Sequence, residues 1–403
     1  MNRIPPELCA VCKGVRRLCG AKVCPLLIKY SFLVKDAKRL SGKEFYGWYS
    51  EDIFVGESGY PKIRLGPLSA DDKKLPTPDK WIDIFSDLTD VLKVRLGTLY
   101  SFKPQRVDER IEEKLKELAI STKPTSVEIK LKKEPRIRVK VDPDIPPMGA
   151  IAPLEKLEVV DNISAPRKLE SAVEEDVKAS IIVPELFLHG INNYHLMRLL
   201  SVGLLGRKTR RRIVPTRWAI TATDTILSNF FLKELRDFKE IEEAEMYYYE
   251  YLGNIYYLIL APSFFWSMEM FEVWLSNTVW VRFSNKPVII HVYESYDGKP
   301  NIMDGGYFAI KFSVLRHLYN RRRKAAVFAL RIITPKYFAP VGSWQIRESI
   351  RKALENGPNY KGEFEALLEF LDMRERDRIQ FSILEKSWLL KRLKERRVTE
   401  WML

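Results

Sequence analysis

The sequence predicts an α+β fold: a small N-terminal zinc module on a larger mixed α/β body with antiparallel hairpins and a C-terminal helix. Three observations predict it. All four cysteines fall between Cys9 and Cys24; segments of helical spacing alternate irregularly with strand-like runs and tight-turn signals; and the chain closes on a cation-rich helical pattern. No repeat at a solenoid period is present.

Residues 1–30 are too short to bury a core of their own, so a metal is expected to replace it. The spacing Cys9-x2-Cys12-x6-Cys19-x4-Cys24 provides two close thiol pairs that can close a tetrahedron around Zn2+. Four protein ligands leave no open coordination position, so the expected role is structural. Lys13, Arg16, Arg17 and Lys22 would offset the negative charge of the thiolates. Buried free thiols and disulfides are the alternatives, and a reducing interior opposes the second.

Residues 31–142 are expected to form an N-terminal α+β domain. A helix is predicted over Val107–Leu118, where Val107, Ile111, Leu115 and Leu118 recur at helical spacing. Val127, Ile129 and Leu131, then Ile137, Val139 and Val141, alternate with charges around Pro135 and predict a hairpin or strand pair. Asp142-Pro143 through Met148-Gly149 breaks regular structure, so residues 143–160 are read as a linker. A second α+β domain is expected over residues 161–394. In it, Tyr247–Leu260 should be a hairpin turning at Gly253-Asn254 and Val288–Val292 a strongly apolar strand meeting a turn at Asp297-Gly298. Phe312–Ala329 should be a helix with Arg321-Arg322-Arg323-Lys324 on its polar side. Ile379, Ile383, Leu390 and Leu393 predict a terminal helix, leaving 395–403 as a tail.

With 67 Lys plus Arg against 53 Asp plus Glu, the net charge is +14, which favours a polyanionic partner such as nucleic acid or an acidic membrane surface, and charge alone does not choose between them. The opening residues lack the continuous apolar stretch of a secretory signal, so a cytoplasmic protein is expected. The longest uncharged run, Leu252–Met268, is broken by Gly253, Asn254 and Pro262 and reads as buried sheet, so no membrane partner is expected.

Several unusual strings resemble the archaeal Nre proteins: Leu18-Cys19-Gly20 with Cys24-Pro25, Phe54-Val55-Gly56 through Gly59-Tyr60-Pro61 to Gly66-Pro67, Leu199 through Gly206, Val214 through Asp224, and Gly342 through Glu348. The resemblance spans nearly the whole chain. It implies participation in DNA-damage repair, a four-cysteine zinc module able to contact DNA, and binding to the DNA sliding clamp (PCNA) through a C-terminal motif.

Two segments suit those partners. Arg207, Lys208, Arg210, Arg211 and Arg212 crowd a short stretch after Gly206, and Arg217 and Trp218 follow closely. Guanidinium groups bind phosphate bidentately, and an indole can stack on a base; the plainer reading is a solvated charged stretch with Trp218 buried. At the tail, Val398, Trp401 and Met402 fall on one helical face, with Leu403 last. This resembles the PCNA-interacting box, with Glu395 where the box usually has Gln. The alternative is a tail folded back on its own core.

No hydrolase, metalloprotease or dinucleotide fingerprint accompanies the four histidines, His189, His195, His291 and His317. The other class of function is a nucleotide- or nucleic-acid-processing enzyme such as a nuclease. It would have phosphates of a substrate or nucleotide on Arg207–Arg217, with Asp224, Asp304 and Glu348 as conceivable metal-binding carboxylates.

Overall fold

The computed structural model of the 403-residue chain describes residues 42–71, 77–140, 145, 148–276, 278–281, 284–294 and 299–400, together with Leu8, Cys12 and Leu18. Contacts divide the chain into two units, Leu27–Phe230 and Met1–Leu26 with Phe231–Leu403. Helices and mixed sheets in both bear out the α+β expectation.

In the Leu27–Phe230 unit the elements run β1 (Glu44–Val55), β2 (Lys62–Ala70), α1 (Pro78–Ile84), α2 (Leu88–Leu96), β3 (Leu99–Arg106), α3 (Glu113–Ile120), β4 (Thr125–Leu131), β5 (Arg136–Lys140), β6 (Met148–Val159), α4 (Arg167–Glu174), α5 (Ala179–Leu188), α6 (Asn193–Ser201) and α7 (Thr216–Glu234). Five strands pair in the cyclic order β1-β2-β3-β6-β4, and β5 extends the sheet from β6. The parallel β3–β6 pairing, Leu99 opposite Ala150, closes the ring; the other pairings are antiparallel. Strand β1 is long enough to serve two partners. It pairs with β4 through Glu44–Tyr49 and with β2 up to Val55, and its register shifts between Tyr49 and Ile53. Period-two alternation turns Ile63, Leu65, Val127, Ile129 and Leu131 inwards, all buried, while Glu128 and Lys130 remain exposed.

Three expectations for this region change. The segment read as a linker over 143–160 is largely β6, a wall of the ring, and the contact-based division falls at Phe230, far from it. Met148, Ala150, Ala152 and Leu154 are buried apolar residues that a Pro-rich lead-in disguised. Strands β4 and β5 do not form a hairpin, because β6 lies between them and pairs antiparallel with each. The helix predicted from Val107 starts at Glu113: the Val107 N–H donates to the Pro61 carbonyl at 3.1 Å and its carbonyl accepts from Ile213 at 2.8 Å, so its backbone is engaged with neighbouring segments.

The other unit contains β7 (Lys239–Glu240), β8 (Ala244–Tyr251), β9 (Asn254–Ala261), β10 (Met268–Trp274), β11 (Val288–Glu294), α8 (Gly305–Arg321), β12 (Arg323–Lys324), β13 (Ala326–Ile333), α9 (Trp344–Glu355), β14 (Tyr360–Gly362), α10 (Phe364–Ile379), α11 (Ile383–Lys386) and α12 (Trp388–Glu400). Its main sheet has the order β11-β10-β13-β9-β8-β14, with only β10–β13 parallel, and β7 pairs with β12 apart from it. One face packs Tyr257, Ile259, Phe271, Val273, Phe328 and Leu330 against α10, α11 and α12. The opposite face carries Tyr256, Glu272 and Arg331; Tyr256 Oη donates to Gln345 Oε1 of α9 at 2.7 Å, and Arg331 pairs with Glu272 at 2.6 Å.

The β8–β9 hairpin turns at Leu252-Gly253, one residue earlier than predicted, with φ of 47° and 75°, the positive pair that a type I′ turn requires. A Cβ on Gly253 would sit 2.4 Å from the Tyr337 nitrogen, so glycine is needed twice over. Residues Val288–Val292 lie in β11 as predicted, and Asp297-Gly298 falls outside the described residues. The helix expected over Phe312–Ala329 stops at Arg321, because Arg322 adopts left-handed geometry (φ 51°) and Ala326–Ile333 forms a fully buried strand. The terminal pattern from Ile379 is likewise broken into three helices. Gln380 (φ 58°) ends α10, the Asp372 carboxylate accepts from the Ile383 N–H, and Glu269 accepts from the Trp388 and Leu389 N–H groups at 2.6 and 3.2 Å.

Candidate nucleic-acid interface

The cation-rich loop of the Leu27–Phe230 unit follows α6, whose seat is polar: Arg198 donates to the Ala119 and Ser121 carbonyls, and His195 Nε2 lies 2.9 Å from the Ala119 carbonyl. Gly206, at φ 108°, turns the chain into a short 3-10 segment, Lys208–Arg210. The loop rejoins the fold through Ile213 on Val107, through Val214, whose N–H donates to the Ser201 carbonyl at 2.7 Å, and through the Thr216 hydroxyl, which accepts from the Val55 N–H at 2.9 Å.

The basic side chains divide by role. Arg211 is a strut: its Nε donates to the Gly206 carbonyl at 2.8 Å, and its terminal nitrogens donate to Val173 and Glu175 at 2.6 Å each. Half-buried and so engaged, it departs from the phosphate-binding role expected of it; it gives the loop its shape. Lys208 is tied at its backbone to Asp176 (2.6 Å), and its ammonium lies 3.9 Å from Glu174. Arg207, Arg210 and Arg212 are exposed. Arg217 is half-buried, 3.9 Å from Glu57.

Trp218 is not buried. It is 47 % exposed and packs beside Tyr60, itself 52 % exposed, with ring centroids 5.3 Å apart. A cavity of about 300 Å³ adjoins the loop and is lined by Arg110, Lys116, Lys208 and Arg211 but also by Asp108 and Glu174. Glu174 lies 3.1 Å from Lys116, so the cavity is of mixed sign and does not concentrate positive potential.

Sequence reasoning missed Tyr60, which the β1–β2 connection carries, and the outward cations of β2 and β3. The alternation Lys62-Ile63-Arg64-Leu65 held the signal for the cations, but only the strand pairing reveals which residues they join.

The remaining candidates lie on separate elements. Asp304 caps α8 by accepting from the Gly306 and Tyr307 N–H groups, Glu348 pairs with Arg351 at 2.6 Å, and Asp224 is buried within α7. Among the described residues, no three His, Cys, Asp or Glu side chains are grouped to hold a metal ion. His189 contacts the Glu185 carbonyl and His291 contacts Glu269, whereas burial, with Arg321 beside it, pulls His317 down to about 4. Cys12 is buried; Cys9, Cys19 and Cys24 lie outside the described residues. Helix α12 extends to Glu400, so Glu395 and Val398 belong to its backbone, while Trp401, Met402 and Leu403 lie outside the described residues. No described helix is long and apolar enough to cross a membrane.

Comparison with known proteins is consistent along the chain. The family described as archaeal Nre matches in two parts, its N-terminal region over residues 18–281 and its C-terminal region over residues 293–401. A protein named DNA repair protein NreA from Archaeoglobus fulgidus is 34 % identical, over 89 % of this chain and 92 % of that protein. DNA repair protein NreB from the same organism is 30 % identical, over 98 % of this chain and 100 % of its own length. NreA from Haloferax volcanii is 31 % identical over 81 % of both chains. No solved structure matches. With both halves of the family represented and relatives aligned over nearly their full length, the chain belongs to the archaeal Nre family.

Proposed function

We propose that this chain acts in DNA repair, holding DNA against the loop at residues 206–212 and docking on the sliding clamp through residues 395–403. The repair role rests on the names carried by its full-length relatives. The single observation that supports DNA contact is the display of Arg207, Arg210 and Arg212 on a loop pinned by Arg211. Exposed guanidinium groups on a fixed backbone neutralise phosphates with little ordering cost, and the chain's +14 charge adds long-range attraction. Replacing Arg207, Arg210 and Arg212 by Ala should weaken duplex binding and reduce its salt dependence; unchanged binding removes the assignment.

Clamp docking is supported by the spacing of Val398, Trp401 and Met402 and by the anchoring of α12, whose first turn is held by the buried Glu269 carboxylate. A chain ending at Arg397 should lose clamp binding and keep its unfolding midpoint. The cysteine spacing supports a structural Zn2+ on Cys9, Cys12, Cys19 and Cys24, for which one equivalent of zinc should accompany the purified chain.

A further inference from the structure

The closed ring of the Leu27–Phe230 unit has a connectivity with functional precedent. Strand β1 pairs with β2 and β4, β3 runs parallel to the last strand of the ring, and α3 lies between β3 and β4. This is the connectivity of the OB barrel, here with α1 and α2 inserted before β3 and with β5 added outside the ring. Such barrels hold oligonucleotides on the outer face of their second and third strands and on the loop joining the first and second. Topology alone assigns no function, so the residues at those positions must carry the argument.

They do so with charge and with rings. Lys62 lies opposite Arg106 and Arg64 opposite Pro104, all four exposed, while the intervening Ile63 and Leu65 are fully buried. Strands β2 and β3 contain Lys62, Arg64, Lys103 and Arg106 and not one carboxylate. Asp108 holds Arg106 at 3.0 Å and Glu112 holds Lys103 at 2.7 Å. The Arg64 guanidinium sits 4.8 Å over the half-buried Phe102 ring. The β1–β2 connection contributes Tyr60, paired with Trp218.

Main-chain bonds tie these parts to the basic loop: the Val107 N–H donates to Pro61, next to Tyr60, and the Ile213 N–H, next to Arg212, donates to Val107. Two large rings, each about half exposed, are therefore fixed beside cations from two separate segments. An isolated exposed aromatic needs no explanation, but a fixed pair bordered by exposed cations suits a nucleobase face.

We propose that the outer face of β2–β3 and the β1–β2 connection bind a single-stranded stretch of nucleic acid, with one unpaired base stacked on the Tyr60–Trp218 pair and the adjoining phosphates on Lys62, Arg64 and the 206–212 loop. The proposal rests on the reading that this loop contacts nucleic acid and adds strandedness to it. A paired base has both faces covered by its neighbours and cannot reach the rings, so the site discriminates against intact duplex. No base edge is read, so sequence preference is weak.

The test uses the full chain with four labelled probes of equal length: oligo-dT, the same strand made abasic, oligo-rU and a duplex. The parent should bind oligo-dT more tightly than the abasic strand. The Tyr60→Ala/Trp218→Ala variant, altered only at exposed side chains, should bind oligo-dT about five- to a hundredfold more weakly while its affinity for the abasic strand stays unchanged. Equal loss on both strands, or no loss on either while Arg207→Ala/Arg210→Ala/Arg212→Ala still weakens binding, overturns the stacking site and leaves the basic loop standing. Absence of parent binding to every probe overturns both. Tyr60→Phe should keep oligo-dT affinity at the parent level, because the ring and not the hydroxyl supplies the contact. Equal affinity for oligo-rU and oligo-dT is the expected result, and oligo-rU binding that ignores the double substitution contradicts it.

Discussion

The division of labour within the basic loop makes a prediction that charge counting alone would miss. Arg211→Ala removes three hydrogen bonds to carbonyls, at 2.8, 2.6 and 2.6 Å, that join Gly206, Val173 and Glu175. These are part-buried hydrogen bonds, so each contributes about 0.5–1.5 kcal/mol and the three together about 1.5–4.5 kcal/mol. For a unit of this size that corresponds to a fall in Tm of roughly 5–15 °C. Arg210→Ala/Arg212→Ala acts the other way round: exposed side chains change stability by less than about 0.5 kcal/mol, while losing two phosphate contacts lowers the slope of log affinity against log salt by about two. Arg211→Lys sharpens the contrast, since it keeps the charge but not the fork, and it should lower the Tm while leaving the salt slope near the parent value. The assays are scanning calorimetry of the full chain and fluorescence anisotropy of a labelled duplex over a salt series. An Arg211→Ala protein with the parent Tm and a flattened salt slope would refute the reasoning, because Arg211 would then be one more phosphate ligand.

Two further predictions follow from buried polar groups. Glu269→Ala leaves Ser387, Trp388 and Leu389 without the carboxylate they share, so it should destabilise the chain by about 3–5 kcal/mol in urea unfolding and speed amide exchange at the start of α12; unchanged exchange there contradicts the capping role. His317, at about 4 in the fold against 6.5 for a free side chain, stays neutral where the unfolded chain takes up a proton, and His195 is shifted the same way by burial. Stability should therefore fall as pH drops from about 7 towards 4, with at most about 3 kcal/mol from His317, less what solvent screening removes at this half-buried position. His317→Gln should flatten the fall, and an identical pH profile contradicts the assignment.

Period and turn chemistry made the local structure legible: Tyr247–Leu260 alternates and turns within one residue of the predicted place, and Val288–Val292 stands out as an apolar strand. What depended on partners far away in sequence was not legible. Met148–Val159 is a strand because β3, β4 and β5 pair with it, and nothing in its Pro-rich lead-in announces that. Ala326–Ile333 is apolar apart from Arg331, so its period could not distinguish a buried strand from the end of a helix. The same limit applied at the site. Arg211 is chemically indistinguishable in sequence from Arg210 and Arg212, and only the carbonyls around it reveal a strut. Tyr60 and Trp218 lie far apart in the chain and meet only once the ring has closed and α7 begins beside it.

Amide hydrogen exchange of the full chain with and without oligo-dT tests most directly whether nucleic acid lies along one end of the Leu27–Phe230 unit. Slowed exchange should appear together in residues 59–64 and 206–218 and should vanish at high salt. Tight oligo-dT binding that leaves both segments unprotected, with slowed exchange confined to other surfaces, would contradict it.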